Sequence, residues 1–128
     1  MKRDFKEGLT IYKQIALNLE TDILEGKLVA GDRLPSLRES AVDMEVNINT
    51  IMRGYNLLEE EGILVKKRGL GFFVTEDALE IIRGKRRQNF YEETLPELYQ
   101  TMKRLDISLE DLVLALKHQK EKEDENKS

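Results

Sequence analysis

At 128 residues, 36% charged and 40% hydrophobic, the chain has room for one ordinary domain, or a small domain with an appendage, and is too polar for a membrane protein. It holds no run near the roughly 18 apolar residues of a spanning helix, no signal-like stretch after Met1-Lys2-Arg3-Asp4 and no cysteine, which excludes disulfides, thiolate metal sites and cysteine nucleophiles and predicts a cytoplasmic protein. The net charge of -4 argues against nucleic acid only until its distribution is read: cations gather at Arg33, Arg38, Arg53 and Lys66-Lys67-Arg68, acids at Glu59-Glu60-Glu61 and in the C-terminal tail.

From Thr10 to Glu25, Ile11, Ile15, Leu19 and Ile23 recur every four residues, and Tyr12, Ala16 and Leu24 widen the stripe. This spacing predicts an amphipathic helix with Thr10 as N-cap and Gly26 as its left-handed end. Gly31-Asp32-Arg33-Leu34-Pro35 reads as a turn and a short extended piece, because a residue before proline is pushed away from helical angles. Ser36 and Glu39 have the spacing of a capping box and open a second helix to about Met44, burying Leu37, Ala41 and Met44.

Glu45 and Val46 leave only a short break before Asn47 caps a third helix that ends at Gly62. Ile51, Tyr55 and Leu58 share one face of it; Asn49, Arg53 and Asn56 share the opposite one. Two helices joined this tightly predict a helix-turn-helix whose third helix packs with one face and reads with the other. Ile63-Leu64-Val65 and Phe72-Phe73-Val74 then flank the basic, glycine-containing Lys66-Lys67-Arg68-Gly69-Leu70-Gly71, a β-hairpin wing that can lie along a DNA backbone.

After Thr75 the pattern is helical again, with Leu79, Ile81 and Ile82 in one helix, a restart near Thr94 marked by Pro96, and a last helix capped by Ser108 with Asp111. The stretch from Lys120 to Ser128 is almost wholly polar and is expected to be frayed or disordered. The predicted fold is mainly α with a small β-wing (α+β): a winged helix-turn-helix over residues 1–75, a helical dimerisation segment over 76–120 and a polar tail over 121–128.

By its motifs the chain resembles the GntR superfamily of bacterial regulators. The resemblance rests on Gly31-Asp32-Arg33-Leu34-Pro35-Ser36, Arg38-Glu39 with Ala41, Leu57-Glu59-Glu61-Gly62, and the wing Gly69-Leu70-Gly71-Phe72-Phe73-Val74. Val46-Asn47-Ile48-Asn49-Thr50 and Arg53-Gly54-Tyr55, with a short helical tail in place of a large effector domain, are similar to the YtrA subfamily. The resemblance implies that Arg38, the start of the third helix and the wing tip touch DNA, which points to Arg38, Asn47, Asn49, Thr50, Arg53, Arg68 and Gly69. Ile48 stands where many members have Arg and this subfamily often has Pro, and Met52 where other branches place a second Arg, so base preference does not carry over.

Residue by residue, Arg53 suits guanine or a phosphate, against plain solvent exposure. Asn49 and Thr50 suit base edges or phosphates, and Asn47 suits DNA contact, capping or both. Arg38 beside a helix N-terminus suits phosphate, with pairing to an acid as the alternative. Arg33 is either a DNA contact or a salt-bridge partner, and Ser36 is mainly a cap. Lys67 and Arg68 suit the backbone or minor groove, with Gly69 permitting close approach, against an ordinary solvated hairpin tip. Lys85-Arg86-Arg87 reads as a solvated helical face, and the lone His118 lacks the company a metal site needs.

Phe90, Tyr91, Leu95, Leu98, Tyr99, Met102, Leu109, Leu112, Val113 and Leu116 are too many for short helices to bury alone: they pack either against the N-terminal domain or in a dimer interface, and the resemblance favours the dimer. The function predicted is a sequence-specific, DNA-binding transcriptional regulator, a homodimeric repressor on a pseudo-palindromic operator with half-sites roughly 10 bp apart. The alternative is a winged-helix protein-interaction module. No triad, phosphate loop or metal cluster supports an enzyme, no cofactor is expected, and the residues do not say whether an effector exists.

Overall fold

The computed structural model describes residues 10–127. Its elements are α1 (Ile11–Leu24), α2 (Leu37–Met44), α3 (Ile48–Glu60), β1 (Leu64–Lys67), β2 (Gly71–Val74), α4 (Ala78–Asn89), a π-helical turn (Phe90–Thr94), α5 (Leu95–Leu105) and α6 (Leu109–Lys127). The chain divides after Arg86 into two compact units. The observed architecture is mainly helical with one small antiparallel sheet, as the periodicities predicted.

In the first unit, α1 buries Ile15, Ala16, Leu19 and Ile23, while Ile11 stays exposed at its N-terminal end. Thr10 sits at the N-cap with extended backbone but makes no side-chain cap bond. The helix ends as Gly26 predicted: with φ at +78° it lets Gly26 N–H donate to Ile23 and Lys27 N–H to Asp22, which closes two carbonyls the helix leaves open. The same geometry ends α3 at Gly62, where Ile63 N–H donates back to Leu58.

Ser36 caps α2 by accepting from Glu39 N–H at 3.1 Å, and Asn47 caps α3 by accepting from Asn49 N–H at 2.8 Å. Between them Glu45 turns the chain in the left-handed region, at φ +56°, a conformation that side chains other than glycine rarely adopt. Leu37, Ala41 and Met44 are half-buried against the core rather than fully inside it; the fully buried position of α2 is Ser40. Ser40 lies 2.8 Å from the Tyr55 hydroxyl, which donates onward to the Pro35 carbonyl at 3.1 Å. Burial pushes the Tyr55 pKa up, with the Ser40 hydrogen bond opposing and the Glu39 charge adding to the rise.

β1 and β2 pair with Leu64 opposite Val74 and Lys67 opposite Gly71; Leu64, Phe72 and Val74 face the core, while Lys66 and Lys67, on opposite faces near the hairpin tip, are both exposed. Gly69, at φ +76°, supplies the third position of the tight turn closed by Leu70 N–H to the Lys67 carbonyl. The predicted extended piece becomes a short third line of pairing. Leu34 N–H donates to Phe72 and Val74 N–H to Asp32, covering the open edge of β2.

The basic cluster at the end of α4 departs from its sequence reading. Glu20 of α1 is only 1% exposed, and Lys85 and Arg86 converge on its two oxygens. Arg86 also donates to the Leu17 carbonyl and the Thr21 hydroxyl, and Lys85 reaches Glu61 at 3.0 Å. Lys85 and Arg86 are therefore not a solvated face; they neutralise a buried carboxylate that the sequence reading left unassigned.

Burial opposes the charged form of Lys85, but hydrogen bonds to Glu20 and Glu61 and the attraction of both carboxylates outweigh it, so its pKa stands above the ordinary 10.5. A lysine raised in the folded state adds stability that is complete below its unfolded pKa and is lost as pH rises through the folded one. Melting curves taken from about pH 9 to about pH 12 are expected to show the wild type losing its advantage over Lys85→Met at the alkaline end. A constant gap across that range sinks the assignment.

In the second unit the restart expected near Pro96 takes another form. The helix does not break. A π-helical turn carries it from α4 to α5, with Leu95 N–H donating five residues back to Phe90. The wider turn carries the chain past Pro96, which has no N–H of its own to donate. Asp106, at φ +54°, ends α5, and Ser108 caps α6 by accepting from Asp111 N–H at 3.0 Å. Residues 121–127 are not the irregular tail their composition suggested but the last turns of α6, where alternating charges allow pairs such as Lys127 with Glu123 at 3.2 Å. Neither α5 nor α6 buries a single residue.

Candidate nucleic-acid interface

The tyrosine hydroxyl between α2 and α3 fixes the angle of the helix-turn-helix, and Phe72 packs edge-on against the same Tyr55 ring at 5.2 Å, which ties the wing to α3. With Ile51, Tyr55 and Leu58 turned inward, α3 presents Asn49, Met52, Arg53 and Asn56 outward, and Thr50 is half-buried. Asn47 spends its Oδ1 on the cap and keeps its amide nitrogen for other partners. Ser36 likewise accepts from Glu39 and keeps its hydroxyl proton.

Arg33, Ser36, Lys66 and Gly69 line one shallow groove of about 220 Å3 between the start of α2 and the wing. Gly71 lies beside the Arg33 guanidinium, and its φ of +108° calls for glycine; a Cβ there would only be in ordinary contact with Arg33 Nε, at 3.5 Å. Lys67 lies 4.6 Å from the Phe73 ring centroid, and Arg68 and Gly69 sit exposed at the tip. Arg38 is exposed on α2. The alternative in which Arg33 and Arg38 pair with acids is not what forms: neither makes an ion pair among the described residues.

Arg53 does not line that groove. Its guanidinium stacks 4.2 Å above the ring of Tyr12, in the first turn of α1. Sequence reasoning counted Tyr12 only as part of an apolar stripe, and placed Lys66 in the basic wing without naming it among the contact residues. The signal for Tyr12 was a hydroxylated ring at one end of that stripe, but its neighbour on α3 depends on how the helices cross. Gly54 decides the crossing: a Cβ there would fall 3.0 Å from the Tyr12 carbonyl.

Among the described residues no group of three or more His, Cys, Asp or Glu is placed to hold a metal, and His118 is exposed on α6. Among the described residues no helix is long and apolar enough to cross a membrane. The ten apolar residues expected at a dimer interface all belong to the second unit. Leu98, Met102 and Leu112 are half-buried and the others exposed, and several line a groove of about 520 Å3 between α5 and α6.

Residues 11–74 match the family described as bacterial regulatory proteins, gntR family. The chain is 35% identical over 117 residues to the HTH-type transcriptional regulator YhcF of Bacillus subtilis, covering 91% of this chain and 95% of that one. It is 37% identical over 83 residues to the HTH-type transcriptional repressor YtrA of the same organism, 64% of each chain. A GntR family transcriptional regulator from Listeria monocytogenes has the same fold, with a TM-score of 0.72 and 36% identity over 89% of this chain and 98% of that one.

Proposed function

The chain belongs to the GntR family of bacterial regulatory proteins, DNA-binding transcriptional regulators and not enzymes, and from this premise we propose that it is a homodimeric repressor of a pseudo-palindromic operator. In this reading the exposed face of α3 enters the major groove through Asn47, Asn49, Thr50 and Arg53. Ser36 and Arg38 hold a phosphate at the start of α2, and Arg33, Lys67, Arg68 and Gly69 follow the backbone beside it. The observation that carries the reading is a local excess of positive charge on an acidic protein. Arg33, Arg38, Arg53, Lys67 and Arg68 have no carboxylate partner among the described residues, whereas Lys85 and Arg86 have theirs. Polyanion binding is driven by such uncompensated charge and not by the net sum.

The second copy is supported by the second unit, most of whose apolar side chains stay exposed within one chain and none of which is fully buried in α5 or α6. The reading head then runs to the end of the wing with α4 packed on α1 through Lys85 and Arg86, and the helices beyond Arg86 are the assembly segment. Two-fold symmetry sets the half-sites roughly 10 bp apart, centre to centre. Repression is supported by the similarity to YtrA, itself named a repressor.

Fluorescence anisotropy with the protein's own upstream region and with random duplexes is the test. Specific binding is expected to exceed random binding by at least about 10³. Arg53→Ala is expected to lose about 1–3 kcal/mol of specific affinity, the worth of a bidentate guanine contact. Equal affinity for both DNAs refutes the regulator reading, and a flat dependence on salt points instead to a protein partner.

A further inference from the structure

We propose that Tyr12 is a positioning residue for DNA reading: its ring holds the Arg53 guanidinium in the orientation that the operator meets. The inference rests on the DNA-binding reading above and deepens it. Arg53 is a long, exposed side chain with many rotamers, and fixing it on binding costs entropy. In the structure it lies 4.2 Å from the Tyr12 ring centroid and makes no ion pair among the described residues. A carboxylate in that role would cancel the charge a guanine or phosphate needs. An aromatic face orients the guanidinium and leaves its charge and its N–H donors available in the ring plane's direction.

The backbone is shaped for this arrangement. Gly54, next to Arg53, lies where a Cβ would meet the Tyr12 carbonyl at 3.0 Å and Ile15 Cγ2 at 3.3 Å. Any larger residue would push α3 off α1 and carry Arg53 away from the ring. Tyr12 itself is half-buried, so the packing that anchors it belongs to the core of the same unit.

The test is a double-mutant cycle on operator and random DNA with Tyr12→Leu, Tyr12→Phe, Arg53→Ala and the Tyr12→Leu/Arg53→Ala pair. Tyr12→Leu is expected to weaken operator binding about two- to fivefold and leave random DNA unchanged. Tyr12→Phe, which keeps the ring, restores the loss, and Tyr12→Leu has no further effect once Arg53 is gone. A loss of equal size in the Arg53→Ala background overturns the proposal, as does a Tyr12→Phe loss as large as that of Tyr12→Leu, which would make the hydroxyl the contact. Proton NMR of the unsubstituted protein gives a check that does not depend on DNA or on a variant's folding. The Arg53 δ-methylene protons are expected to be shifted upfield by the ring, and ordinary shifts overturn the stacking. No preference for operator in the unsubstituted protein removes the regulator reading and this inference with it; preference retained with Tyr12 and Arg53 uncoupled removes the inference alone.

Discussion

Replacing Lys85 and Arg86 together by methionine is expected to destabilise the protein by about 3 kcal/mol, at the lower end of the range for breaking a buried ion pair. Glu20 is 1% exposed, and the double variant leaves its carboxylate with neither of the cations that now reach it. Among the described residues no buried side-chain polar atom lacks a partner, so the variant creates a defect where none exists. The cations themselves are 40% and 35% exposed, which lets water reach the site after their loss and keeps the cost from the top of the range. Urea titrations followed by circular dichroism measure it. Adding Glu20→Leu to the pair is expected to recover most of the loss, because an apolar side chain of similar volume removes the charge that needed partners. A double variant within about 1 kcal/mol of wild type would show that the cluster contributes no more than a surface pair.

That cluster marks the boundary of what the residues alone disclosed. Ser36, Asn47 and Ser108 announced three helix starts, because a cap is a contact between neighbours three or fewer residues apart. Gly26 and Gly62 announced two ends for the same reason, and the wing followed from two β-branched or aromatic runs around a glycine-containing turn. Glu20 did not announce itself. It stands 65 residues from Lys85, and its burial is set by where α4 returns to α1. Tyr12 and Arg53 are hidden in the same way, since their meeting depends on a helix crossing that Gly54 permits. Pro96 misled in the opposite sense: proline removes one donor, and whether the chain breaks or widens into a π turn depends on the helices around it. Composition misled at residues 121–127, because a stretch too polar for a core still forms helix when it continues an established one.

The apolar surplus of the second unit has the largest consequence for binding. Tyr99 is 59% exposed and Leu109 66% exposed, and both line the groove between α5 and α6. Contiguous apolar surface of this kind marks an interaction site, and in the proposed dimer a second copy of the chain would cover it by symmetry. Tyr99→Asp with Leu109→Asp places two carboxylates where a partner would desolvate them, while their exposure leaves the fold of the single chain intact. Sedimentation equilibrium is expected to show a dimer become a monomer. Affinity for an operator with two half-sites should then fall about 10²–10⁴-fold, the loss of one head's effective concentration for the other. Affinity for a single half-site should not change, because α2, α3 and the wing lie outside the substituted unit. A variant that remains dimeric would place the interface elsewhere. A monomer that binds the full operator as tightly as before would show that the two heads act independently, and would move selectivity from half-site spacing back to the side chains of α3.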